Sequence, residues 1–186
     1  MLRVLAVTVG TTVGLLLWST LFWALLAPRL GMFHQIPNDE AVTAALIKAQ
    51  VPTGTYFMPW PRDTPETFER FVAQHKSGPF YRLDYVREGV DPEALVKFVK
   101  GTVQTFFTAL CGVIVAFLAG TATRLKRFYV VFVAGLVGSL YITVAEPVWF
   151  HMPWDYVRGV LCYQLVSWTL MAAVCAWFIR SMPRGT

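Results

Sequence analysis

The sequence predicts an α-helical membrane protein: four transmembrane helices with a small α/β extracytoplasmic insert. Three observations predict this class. Of 186 residues, 56% are hydrophobic and only 15% are charged, where a soluble domain carries about 25% charged residues. Four apolar segments are long enough to cross a bilayer core, which needs about 20 residues of helix. Basic and acidic residues are sorted between alternate connections. The composition excludes a soluble enzyme and a disordered chain, and the continuous apolar runs exclude the alternating pattern of a membrane barrel.

The four predicted spans are residues 4–27, 102–123, 128–145 and 157–179. The third is the shortest, and Glu146-Pro147 marks its end. The first has an apolar run about twice that of a signal-peptide core and no clear cleavage site, so it reads as an uncleaved anchor. Arg3, the short connection with Arg124, Lys126 and Arg127, and the tail with Arg180 and Arg184 hold six basic residues and no acidic ones. All 11 Asp and Glu lie in the other connections, with ten basic residues. The positive-inside rule then places both termini in the cytoplasm and residues 28–101 in the periplasm of a bacterial inner membrane. The isoelectric point near 9.3 reflects this sorting; no nucleic-acid partner is expected.

The insert, residues 28–101, has ordinary polar content. Asn38 caps a first helix with Asp39 and Glu40 in its positive first turn. Val42, Ala45, Leu46 and Ala49 form its apolar face. Residues 55–58 have strand character until Pro59-Trp60-Pro61 stops them. Thr64 and Pro65 open a second helix that buries Phe68, Phe71, Val72 and His75, and Ser77-Gly78-Pro79 ends it. Residues 80–86 form a second strand with Tyr81, Leu83 and Tyr85 on one face. Asp91-Pro92-Glu93 caps a third helix that runs into the second span, from Pro92 to about Thr123, roughly 48 Å at about 1.5 Å per residue. That continuity would fix the insert rigidly to the bundle.

Candidate functional residues are few. Small residues recur every four positions: Ala6, Gly10 and Gly14; Gly112, Ala116 and Gly120; Ala134 and Gly138. Such stripes let helix backbones approach within one bundle or against another subunit. The extracytoplasmic loop 146–156 concentrates polar and aromatic residues. Trp149, Trp154 and Tyr156 fit an interfacial aromatic belt. His34, His151, Glu146 and Asp155 supply donors for a divalent metal, or an axial His for a tetrapyrrole, although no ligand spacing on a helix supports such a site. The sequence requires no cofactor. Cys111, Cys162 and Cys175 lie inside the spans as small buried apolar residues without disulfide or zinc spacing.

No Asp, Glu, Lys, Arg or His occupies the middle of a span, which argues against a pump or proton relay. Nor is there a nucleophile elbow, a zincin helix, a phosphate loop or a dinucleotide fingerprint. The leading expectation is a non-catalytic accessory or scaffold subunit of a larger inner-membrane complex, respiratory or photosynthetic, with the bilayer and other membrane subunits as partners. One alternative is a metal- or tetrapyrrole-binding membrane protein using the outer histidines. Another is a small lipid-modifying enzyme using a carboxylate such as Asp155.

The chain also resembles an uncharacterised family of small bacterial membrane proteins. The resemblance is carried by the first span, I-P-N-D-E-A-V-T-A-A-L at residues 36–46 and G-T-Y-F-M-P-W at 54–60. Gly78-Pro79, M-P-W-D-Y at 152–156 and Trp168 complete it. It implies four spans with an outer insert and no assigned activity. The family pattern places an acidic residue and a His in the last span where this chain has Tyr163 and Gln164, so chemistry resting on that pair is not implied here.

Overall fold

The computed structural model describes residues 2–60, 64–120 and 123–179. Pro61, expected to help stop the first strand, and Arg180 and Arg184 of the tail lie outside the described residues. The chain divides into two compact units, one comprising residues 1–34 and 93–186 and the other residues 35–92.

In the first unit, four helical segments are long and apolar enough to cross a membrane: Leu2–Leu30, Leu95–Leu118, Arg124–Phe150 and Trp154–Phe178. The first begins as α1 (Leu2–Leu21), widens to a π-helix over Phe22–Leu26 and tightens to a 3-10 turn over Ala27–Leu30. Pro28 lies in the first turn of that 3-10 segment, and Gly31, in the left-handed region at φ 64°, ends it. Helices α4 (Leu95–Leu118), α5 (Arg124–Thr143), the short α6 (Ala145–Phe150) and α7 (Trp154–Phe178) complete the unit. α7 packs most extensively on α5 and also meets α1 and α4, while α4 lies mainly against α1. Val113 and Ala116 of α4, Val131 of α5 and Met171, Ala172 and Cys175 of α7 form the centre of the core.

Three boundaries differ from the sequence expectation. The helix expected to run from Pro92 into the second span is present and continuous through Leu95, Phe98 and Val99, but it starts three residues late: Pro92 and Glu93 form a turn, Ala94 is non-helical at ψ 119°, and α4 begins at Leu95. A proline's fixed φ suits a turn as well as a first helical position, and Ala94 offers no side chain to cap the helix. The 24 residues of α4 span about 36 Å rather than 48 Å. At its far end α4 stops at Leu118, before the expected 123, because Gly120 turns left-handed at φ 52°. Gly120 is therefore a helix terminator and not a packing residue.

The expected loop 146–156 is mostly helical. After a single turn residue at Val144 the chain re-enters helix as α6, through Glu146 and Pro147. A proline three residues into a helix removes only an N–H that the first turn does not need. His151, in the left-handed region at φ 54°, ends α6, and α7 begins at Trp154. Only residues 151–153 remain non-helical.

The second unit contains α2 (Asp39–Lys48), β1 (Gly54–Met58), α3 (Pro65–Ser77) and β2 (Tyr81–Tyr85). The expected caps are present. The Asn38 side chain accepts from the Ala41 N–H, and Thr64 and Thr67 form a reciprocal capping box. β1 and β2 pair antiparallel, with Thr55 opposite Asp84 and Tyr56 opposite Leu83. The Thr55 hydroxyl donates to Asp84 Oδ1 at 2.7 Å. An aromatic ladder runs Phe68, Phe71, His75, Phe80 at centroid spacings of 6.0, 5.4 and 5.0 Å. Phe71, Val72 and His75 are half-buried as expected, but Phe68 is exposed. Among the described residues of this unit, Pro59 alone is buried.

Candidate functional site

The expected metal set does not assemble. Glu146 is half-buried in the first turn of α6, where its backbone carbonyl accepts from the N–H groups of His151 and Met152. His34 and His151 are exposed. Asp155 is engaged by Arg158, one turn along α7, in an exposed ion pair. Among the described residues no three His, Cys, Asp or Glu side chains are grouped to hold a metal ion. The pairing also draws Asp155 away from the role of an isolated, desolvated carboxyl acid.

The aromatic residues of this region divide by direction. Trp149 and Trp154 point outward, at 75% and 52% exposure. Tyr156 does not share that belt. It turns inward, edge-on to Phe33 at 5.8 Å, and joins a cluster with Trp18, Phe22, Trp23 and Tyr163. Tyr163 stacks on Trp18 at 6.2 Å, and the Trp18 indole N–H donates to the Tyr163 backbone carbonyl at 3.2 Å. The π-helical turn over residues 22–26 occurs where these rings crowd together. Composition alone did not separate these packed rings from those facing outward.

The small residues also sort into two sets. Gly112 and Ala116 pack inside the bundle, and a Cβ on Gly112 would collide with Met171. Gly10, Gly14 and Gly138 face open space instead. The close approach on α5 is at Gly135, one residue from Ala134 of the expected stripe, where the missing Cβ admits the Trp168 ring. Gly159 does the same for Met32. Both were missed because four-residue spacing fits adjacent stripes equally well. The pattern Val131, Gly135, Ser139, Thr143 carried the signal, since small polar residues in apolar helices turn toward neighbours.

Between α4 and α5 a cleft of about 520 Å³ opens toward the outside of the bundle. Gly112 lines one wall, Ala134 and Gly138 the other, and Trp168 of α7 the floor. Gln104 and Thr108 supply polarity, and among the described residues no Asp, Glu, Lys, Arg or His lines it. Such a cleft can accept an apolar chain or helix by shape, but it contains no acid–base pair. Cys111 opens onto it and Cys162 is exposed elsewhere, so only Cys175 is the buried apolar residue expected of all three.

At the opposite end of the bundle from the aromatic cluster, Arg127 is 5% exposed and heads the inward stripe of α5. Arg124 instead lies over the Trp177 ring, 4.5 Å from its centroid. Comparison with protein-family models, curated proteins and solved structures gives no match, so the resemblance noted above gains no support.

Proposed function

We propose that this chain is a non-catalytic accessory or scaffold subunit of a larger bacterial inner-membrane complex. In this reading both termini face the cytoplasm and residues 35–92 bind a partner on the opposite side. The observation that supports it is the state of the insert: its helices are well capped, yet Pro59 is its only described buried residue. Ile36, Ile47, Trp60, Phe68 and Val90 are each more than half exposed. A two-stranded sheet is marginal alone, and large apolar side chains left exposed on such a unit are surface that a partner can cover. The cleft walled by Gly112 and Gly138 adds a surface where another membrane helix can approach closely.

The test is photo-crosslinking in native membranes, with the reactive residue placed at Trp60, Phe68 or Ile47 in separate variants. A discrete adduct with the same membrane protein from at least two positions is the expected result. Lipid adducts alone, with a monomer recovered on mild extraction, would overturn the reading.

A further inference from the structure

At the end of the bundle where α1 and α5 begin and α7 finishes, a groove of about 620 Å³ has a polarity unlike that of the α4–α5 cleft. Among the described residues, Arg3 of α1 and Arg124 of α5 are its only charged lining residues. Below Arg3, along the same face of α1, Ala6 and Gly10 follow at helical spacing, and Val174 and Trp177 of α7 form the facing wall. A Cβ on Gly10 would meet nothing within 4 Å, so the apolar part of the groove is open as well as narrow-walled.

We propose that this groove is a binding site for one anionic phospholipid, with its phosphate between Arg3 and Arg124 and an acyl chain along Ala6, Gly10 and Val174. Charge complementarity selects the occupant. Among the described residues no carboxylate lines the groove, and a basic pocket between membrane helices favours an anionic headgroup. The Arg124 guanidinium carbon lies over the Trp177 ring, a cation–π contact that uses the ring face and none of the carboxylate-type acceptors an ion pair would need. A guanidinium so engaged keeps N–H groups for a phosphate, which it binds as a two-pronged donor. Trp177 and Phe178, at 65% and 59% exposure, put aromatic rings at headgroup level, the usual depth for such rings. A free anion would use the two arginines but would leave the open apolar floor unfilled. A zwitterionic lipid would bring a second cation toward the arginines.

The full chain would be released from nanodiscs of equimolar phosphatidylglycerol and phosphatidylcholine into native mass spectrometry. The expected result is one retained phosphatidylglycerol in excess of phosphatidylcholine. The double variant Arg3→Gln/Arg124→Gln should lose that preference by about tenfold or more, since each basic group near an anionic surface contributes severalfold. Gly10→Leu should lose the lipid with both arginines in place. Arg29→Gln, outside the groove, should keep it. Equal retention of both lipids by the unmodified chain would overturn the proposal without any variant. So would phosphatidylglycerol held unchanged by the folded double variant, or held by Gly10→Leu and displaced by inorganic phosphate, which would describe a bare anion site.

Discussion

The Trp168 indole N–H donates to the Ser139 hydroxyl at 2.7 Å, across the interface between α7 and α5. The ring reaches that position because Gly135, one turn earlier on α5, has no Cβ to obstruct it. One turn further along, the Thr143 hydroxyl donates to Gln164 Oε1 at 3.0 Å. Gly135, Ser139 and Thr143 all lie on the buried stripe of α5. Shape and two polar contacts therefore set the register of the most extensive helix pair in the bundle.

Gly135→Leu should destabilise the protein, because the added side chain must displace the Trp168 ring. Overpacking of this kind costs about 1–3 kcal/mol. Gly138→Leu, three residues on, faces the open cleft and should leave the thermal midpoint in detergent nearly unchanged. Comparing the two melting curves checks the stripe assignment directly. Equal midpoints would mean that α5 is rotated from the arrangement described.

The two polar contacts should be individually modest. Interhelical hydrogen bonds in membrane proteins contribute about 0.6 kcal/mol on average and up to about 1.7. Ser139→Ala and Thr143→Val should each cost roughly that amount. Trp168→Ala should cost about 3 kcal/mol, the low end for large aromatics, because the ring is half-buried against the core. Unfolding in a graded denaturing detergent would rank the three variants, with Trp168→Ala clearly the least stable.

Much of the architecture was legible because the forces that set it act locally. Apolar runs of membrane length located all four long helices, and Asn38, Thr64 and Pro65 located the starts of α2 and α3 through hydrogen bonds within one turn. The misplaced boundaries turned on residues with two permitted uses. Pro92 fits a turn or a first helical position, Pro147 a stop or a first turn, and Gly120 a packing surface or a left-handed cap. The candidate site was less legible. Tyr156 and Trp149 are both aromatic residues of the same segment, and only packing against Phe33 distinguishes inward from outward. Gly135 and Gly138 differ by three positions and lie on adjacent faces of one helix, one filled by the Trp168 ring and the other open. The sequence places Arg127 in the short basic connection between spans two and three, but the start of α5 at Arg124 carries it onto the inward face. These distinctions depend on neighbouring helices, which spacing along one chain does not specify.

The insert offers a pH-sensitive probe. The Thr53 hydroxyl donates to Glu88 Oε2 at 2.6 Å and itself accepts from the Arg87 N–H at 3.0 Å. The Thr53 hydrogen bond, followed by a backbone hydrogen bond at Glu88 and the Arg87 charge, lowers the Glu88 pKa below its ordinary 4.5; slight desolvation opposes this. A carboxyl with a lower pKa in the folded state contributes stability above its unfolded pKa and loses it as pH falls through the folded value. Thr53→Val should raise the Glu88 titration midpoint toward the ordinary value. Carbon-detected NMR of the Glu88 carboxyl in both chains would measure the change. An unchanged midpoint would remove Thr53 as its cause.

The proposed topology rests on charge sorting, and labelling can test it independently of any partner. In a chain with Cys111, Cys162 and Cys175 replaced by Ala, a single Cys would be placed at Glu40 in α2 or at Lys126 in the first turn of α5. Both positions are exposed, so accessibility depends on the side of the membrane and not on burial. A membrane-impermeant maleimide applied to intact spheroplasts should label Glu40→Cys and spare Lys126→Cys. Inverted vesicles should give the reverse pattern. Labelling of both positions from one side would leave an odd number of crossings between residues 40 and 126 impossible, and α4 would then lie within one leaflet or outside the bilayer. Reversal of both patterns would keep the spans but invert the protein. Arg124 and Lys126 would then lie on the outer side, against the positive-inside rule.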